Sequence, residues 1–294
     1  MSAISAHGLA KQFGRHGVLR GLDLTVEAGS IYGLLGCNGA GKTTLLKLAM
    51  GLFIADAGEI TVLGQNLGAG ADKQRVGIVA DQTLIPSWMS IRDALGFEAS
   101  VRPQFDPRRV DEYLREQDLP VTRGIKTLSK GQTRRLDLEI ALASDPAVLI
   151  LDEPFDGLDP VSRVEAMAAL VDQVARAGTT VLVSSHVLTD LERICGKIGV
   201  LSGGRIAFES DLDPLKESVR VVVGTKMARS HDLPVETQVI GSWADERGKT
   251  WLVRGLDERQ EALLRRGGFQ LFHPGLDDLG VELMRCLHER EQRP

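Results

Sequence analysis

Residues 36–43, Gly36-Cys37-Asn38-Gly39-Ala40-Gly41-Lys42-Thr43, leave a chain few ways to fold. They separate an apolar run at 30–35 from a helical pattern over 44–52, so a strand has to turn directly into a helix. Three glycines in eight residues let successive backbone N–H groups point inward onto phosphate oxygens, with no Cβ in the way. The helix that follows adds the positive end of its dipole. Lys42 then reaches the outer phosphates and the Thr43 hydroxyl is available to magnesium, while Cys37, Asn38, Ala40 and Thr44 complete the cradle. This is the P-loop pattern, in the strand-to-helix setting it requires.

A buried strand leading into such a turn predicts an α/β fold, and residues 4–212 carry its rhythm. Short aliphatic runs at 76–80, 148–151 and 180–184 are apolar enough to be covered on both faces of a mainly parallel sheet. Residues 84–145 are patterned as helices, separated by polar loops at 101–107 and 120–124, and read as a helical subdomain inserted between strands. After 212 the pattern changes. Strands are expected at 219–223, 237–242, 250–253 and 269–272, with helices at 257–266 and 276–291. The chain therefore divides into a domain over 1–212 and a small α/β appendage over 213–294, which is near the lower size limit for independent folding and is expected to pack on something.

The run 147–151 stops at Asp152 and Glu153. Two carboxylates at the end of a buried strand are costly unless a cation sits nearby. Asp152 is the candidate for magnesium opposite Thr43, and Glu153 the candidate to orient and polarise an attacking water. His186 follows the strand over 181–185 and points at the same strand-end crevice, where ligands of such sheets bind.

Composition narrows the function classes. A net charge of −5 argues against a nucleic-acid binder that depends on phosphate neutralisation. No segment approaches the roughly 18 consecutive apolar residues of a membrane span, and residues 1–9 lack the charged start and apolar stretch of a signal peptide. Cys37, Cys195 and Cys286 show no pairing or metal-ligand spacing, which fits a reducing compartment.

Taken in order over residues 4–210, these residues resemble the ABC ATPase family. Leu128-Ser129-Lys130-Gly131-Gln132 is similar to its LSGGQ signature loop, with lysine in third place. Asp152-Glu153-Pro154 runs into Phe155-Asp156-Gly157-Leu158-Asp159, similar to its D-loop, and Ser184-Ser185-His186 looks like its switch histidine. Phe13 occupies the place of the aromatic that stacks on adenine. The resemblance implies ATP and magnesium as ligands, and a head-to-tail dimer in which Ser129, Lys130, Gly131 and Gln132 of one copy cover the ATP held by the other. The same Ser129 also reads as an ordinary cap for a helix over 133–143, and both roles are compatible. This chain departs from the family pattern twice. Asp81 stands where glutamine is usual, with Gln82 one beyond it, so either is a candidate for the magnesium site; Cys37 stands where proline is common, and reads either as a small residue tolerated there, the favoured reading, or as an oxidation-sensitive thiol beside phosphate-binding amides.

The resemblance further implies a subunit that drives a separate membrane permease, held on the cytoplasmic face of the membrane. Residues 83–97 lie where family members receive a helix of that partner, with Pro86, Trp88, Met89 and Ile91 as the apolar contact surface, or with Trp88 and Met89 in the subdomain core. The lysine-bearing signature and the appendage look most like exporter subunits. Two other readings remain: a non-transport ABC ATPase of translation or DNA repair, and a nucleotide-sensing regulatory dimer. Against the first stand a single cassette and a negative charge, and against the second the presence of both Glu153 and His186.

Overall fold

The computed structural model describes residues 1–284 apart from 69, 70, 72, 226, 230, 231, 235, 236, 245–247, 276–278 and 282. Most of the helix expected over 276–291, and Cys286, lie outside the described residues.

The apolar runs do form strands of one sheet. β3 (Ile31–Leu35), β5 (Val76–Val79), β6 (Val148–Leu151), β7 (Thr180–Ser185), β8 (Lys197–Ser202) and β9 (Arg205–Asp211) lie in the order β5-β6-β7-β3-β8-β9. Pairing is parallel except at β9, which runs back against β8. Every residue of β3, β6 and β7 is buried, as strands covered on both faces must be. A fully buried Leu, Ile or Val side chain stabilises the fold by about 1.5–3 kcal/mol, so these strands anchor the core. Beside them an antiparallel sheet forms from β1 (Ser2–Phe13), β2 (His16–Glu27) and β4 (Ala57–Val62), in the order β2-β1-β4. Its inward side chains, among them Ile4, Leu9, Leu22 and Val62, share a core with Leu45 and Leu46 of helix α1 (Lys42–Ala49).

Between β5 and β6 the chain inserts α2 (Ile91–Val101), α3 (Pro107–Glu116) and α4 (Lys130–Leu142). These helices enclose a core of their own around Ile91, Val110, Tyr113, Leu114 and Leu136. Helix α4 belongs to two cores at once: Leu136 and Ile140 face the insert, whereas Leu138, Ala141 and Leu142 face the sheet. Its register therefore fixes the insert on the sheet. Both α1 and α4 begin earlier than their apolar periodicity suggests, at Lys42 and Lys130, because the polar residues before each periodic stretch form the first helical turn.

α5 (Pro160–Ala177) follows β6, and α6 (Leu188–Glu192) follows β7. After α7 (Leu212–Ser218) comes a third sheet, with β10 (Val219–Gly224), β11 (Gln238–Ala244), β12 (Lys249–Arg254) and β13 (Gln270–Phe272) in the order β11-β12-β10-β13, all antiparallel. One face carries Val222, Trp251, Val253 and Leu271 against Leu264 of α8 (Glu258–Arg266). The other carries Val219, Ile240, Trp243 and Leu252, and these join the core made by Leu170, Leu188 and Leu191. Strict alternation would send Ile240 and Trp243 to opposite faces; a register shift between Val239 and Gly241 brings both to the same side. Leu279 and Leu283 enter that core too, and Gly280 lies so close to α6 that a Cβ there would stand 2.7 Å from the Cβ of Leu188. The appendage thus packs on the first 212 residues by completing their core.

Candidate functional site

β3, β6 and β7 are neighbours and parallel, so the turns after Leu35, Leu151 and Ser185 open onto one edge of the sheet. Gly36 leaves β3 where a Cβ would meet the Leu201 carbonyl at 2.9 Å. Gly41, the cap of α1, has φ +106, a conformation that side-chain-bearing residues rarely adopt. Phe13, Val18, Cys37, Asn38, Gly39, Gly41, Lys42, Thr43, Thr44 and Glu153 line a groove of about 340 Å³ above this turn. Gly36 is buried beneath it, and Ala40 packs toward the core.

Lys42 is almost fully buried and donates from Nζ to the Gly36 carbonyl at 2.6 Å. The same ammonium stands 3.2 Å from Glu153 Oε1. The other oxygen of Glu153, Oε2, is 3.0 Å from His186 Nδ1, so one carboxylate bridges the P-loop lysine and the histidine. Glu153 holds this position with φ +48, in the left-handed region where a non-glycine backbone is strained. Ser184, on β7, explains how the acids are set. Its hydroxyl donates to Asp152 Oδ1 at 2.7 Å and accepts from the Glu153 N–H at 3.0 Å, fixing both residues relative to a neighbouring strand. Asp152 is buried, and its second oxygen, Oδ2, has no hydrogen-bond partner. A buried carboxylate oxygen without a donor is costly, and a divalent cation is a group that satisfies it. Asp152 therefore has the chemistry of a cation ligand, and Thr43 lines the groove that the adjacent Glu153 also lines.

Of the two candidates in the loop after β5, Asp81 is turned to Lys47 of α1, with its Oδ1 3.0 Å from the ammonium, while Gln82 is exposed. The loop is held from α4: Arg134 donates to the carbonyls of Ala80 and Asp81, and Thr83 donates to Asp137 Oδ1 at 2.8 Å. Neither Arg134 nor Asp137 stood out in the sequence, and neither did Lys47. Phe13 is 46% exposed, with its ring edge-on to Phe53 at 5.5 Å, a flat apolar surface at the rim of the groove.

The groove's described lining includes none of residues 129–132. Ser129 caps α4 by accepting from the Gln132 N–H at 3.1 Å, and the Gln132 side chain accepts from the Ser129 N–H in return. Lys130 pairs with Asp156 at 2.6 Å. Asp159 caps α5, accepting from the N–H groups of Val161 and Ser162. Cys37 is exposed on the P-loop, and Cys195 is buried, its thiol pushed up by desolvation. In the segment 83–97, Trp88 is 77% exposed and Pro86 exposed, whereas Met89 packs partly on the insert core. Ile91 corrects the expectation of a contact surface: it is fully buried, because the first turn of α2 points it into the core with Val110 and Tyr113. Among the described residues, no helix is long and apolar enough to cross a membrane.

A sequence model described as ABC transporter matches residues 19–156. The ABC transporter ATP-binding protein YtrB of Bacillus subtilis is 33% identical over 267 residues, which cover 89% of this chain and 90% of that protein. The Nod factor export ATP-binding protein I of Burkholderia lata is 38% identical over 225 residues, 74% of each chain. Among solved structures, that of an ATP-binding subunit of an ABC transporter superposes with a TM-score of 0.67 at 26% identity, covering 73% of this chain and 92% of its own.

Proposed function

Because the chain belongs to the ABC transporter family of ATP-binding proteins, we propose that it binds ATP with magnesium at residues 36–44, hydrolyses it as a head-to-tail dimer, and thereby drives a separate membrane permease on the cytoplasmic face. The observation that carries this reading is the chain of contacts Lys42–Glu153–His186, with the orphaned oxygen of Asp152 beside it. Each group has a task there. Lys42 and the N–H groups of α1 bind the phosphates; Glu153 orients and polarises a water; His186 positions the carboxylate and the terminal phosphate. Asp152 and Thr43 would hold magnesium, which when bound would supply positive charge to offset that of the phosphates. Phe13 offers its exposed face to adenine.

Residues 129–132 lie outside this groove, which supports a role toward the nucleotide of a second copy. Exposed Trp88 supports a permease contact at that corner of the insert. Export as the direction is supported by the Nod factor export relative. The test begins with magnesium-dependent ATPase activity of the purified chain. Glu153→Gln is expected to lose turnover by a hundred-fold or so and to accumulate as an ATP-bound dimer on size exclusion. Normal hydrolysis by that variant would remove Glu153 from the chemistry. Lys42→Ala is expected to weaken nucleotide binding by at least about 1.5–3 kcal/mol, read by titration calorimetry, through loss of a charge-assisted contact. Co-elution of a multi-span protein from solubilised membranes checks the permease.

A further inference from the structure

The third place of the signature-like loop holds a lysine, and the structure shows where that side chain goes. Lys130 Nζ lies 2.6 Å from Asp156 Oδ2. Its aliphatic stem lies over Gly157, where a Cβ would stand 3.2 Å from Lys130 Cδ and where φ is +80. One residue on, a Cβ at Gly131 would come within 2.7 Å of the Gly157 carbonyl. Two glycines thus bring the backbones together, and the lysine closes over the contact. Its ammonium is the foremost influence holding the Asp156 carboxyl below the usual carboxylate range, with His186 and Arg134 adding to the effect. The far side of the contact is rigid, because Asp156 and Leu158 donate backbone hydrogen bonds to Glu153 and Phe155, and Phe155 is buried in the core.

We propose that Lys130 is a positioning residue that ties residues 129–132 to the loop 156–159 of the same chain, so that engagement of a partner's nucleotide is transmitted to the chain's own Glu153. The inference rests on the dimer reading above. Its physical logic is that 129–132 would serve the nucleotide of the other copy, whereas Glu153 serves the chain's own. A glycine in third place leaves the backbone contact without the ion pair. The pair itself is exposed, with side chains 66% and 47% accessible, so its strength is that of a good surface ion pair, a factor of about two to five.

Lys130→Ala, Asp156→Ala, the double variant and the reversed pair Lys130→Asp with Asp156→Lys separate positioning from direct contact. Without nucleotide, hydrogen exchange at the amides of 156 and 158 is expected to speed about two- to five-fold in each single variant, no further in the double, and to recover in the reversed pair. In a Glu153→Gln background, the ATP concentration that half-fills the dimer is expected to rise by a similar factor in each single variant, again without addition in the double. Unchanged exchange in Lys130→Ala would overturn the proposal. So would dimerisation losses that add in the double variant and worsen in the reversed pair, since Lys130 would then act on the nucleotide itself. If the Glu153→Gln protein forms no ATP-dependent dimer, the dimer reading fails and the transmission step with it, while the exchange data still report whether the pair orders the loop.

Discussion

Asp137 is a carboxyl group on the wrong side of a protein surface. Burial pushes its pKa up to about 6, against the hydrogen bond from Thr83 and the charge of Arg134, which lower it. A raised value means that the folded chain binds a proton more tightly than the unfolded one. Stability contributed by that proton is complete below the usual carboxylate range and is lost as pH rises through about 6. Each unit of raising corresponds to about 1.4 kcal/mol. Asp137→Asn keeps an acceptor for Thr83 without the charge, so urea denaturation at pH 7 is expected to find it about 1–2 kcal/mol more stable, with the advantage gone below pH 4. A variant less stable than wild type at pH 7 would mean that the charge pair with Arg134 outweighs burial. Nothing in the sequence distinguishes this aspartate from its neighbours, because its partners Thr83 and Arg134 come together only when α4 is laid across the loop after β5, and Arg134 lies 54 residues from the Ala80 carbonyl that it holds. Lys42, Asp152 and Glu153 were legible for the opposite reason. Asp152 and Glu153 directly follow β6 and Lys42 closes the short turn after β3, each within a short local pattern, and the sheet brings those strand ends together whatever the rest of the chain does.

Among the elements, the helices that begin at functional residues were the ones whose starts the sequence misplaced. Lys42 and Lys130 belong to α1 and α4 although they read as loop, because a first helical turn carries N–H groups with no intrahelical partner and needs no apolar residue. Apolar periodicity starts only where packing starts, one turn later. α5 shows the same economy at its own beginning: Asp159 accepts from Val161 and Ser162 N–H and from the Ser162 hydroxyl, which holds its carboxyl below the usual range. Asp159→Ala is expected to lower the midpoint of equilibrium unfolding through loss of the cap, and Asp159→Asn to lower it much less. Equal losses in both would point to charge rather than capping. Ser184 belongs at this scale too, since β7 sets the acids of β6 through one hydroxyl; Ser184→Ala is expected to leave the fold standing while releasing Asp152 Oδ1 and weakening magnesium-dependent turnover about ten-fold, read from its dependence on magnesium concentration.

Across the whole molecule, the change of pattern after residue 212 marks a change of architecture, and its strands serve two cores, one of their own with α8 and one shared with the preceding sheet. The sequence could announce new strands; it could not say that one face of them would be turned inward, since that depends on the register shift beside Ile240 and on which residues α5 and α6 leave uncovered. A single cooperative unfolding transition is therefore expected by calorimetry. Leu252→Ala, which cuts into the shared core from the far side, is expected to cost about 2–5 kcal/mol and to lower that one transition without splitting it. Two separable transitions would show that the face is only lightly docked.

The contact of Gly280 with Leu188 gives this shared core a further meaning. Leu188 lies two residues past His186, so whatever grips the last described turns of the chain also grips the base of the loop that carries the histidine. A chimera that borrows its C-terminal third from another member of the family would inherit a foreign wall beneath the loop that carries His186, and mismatched volumes there are expected to surface as altered ATP turnover long before they surface as a misfolded protein.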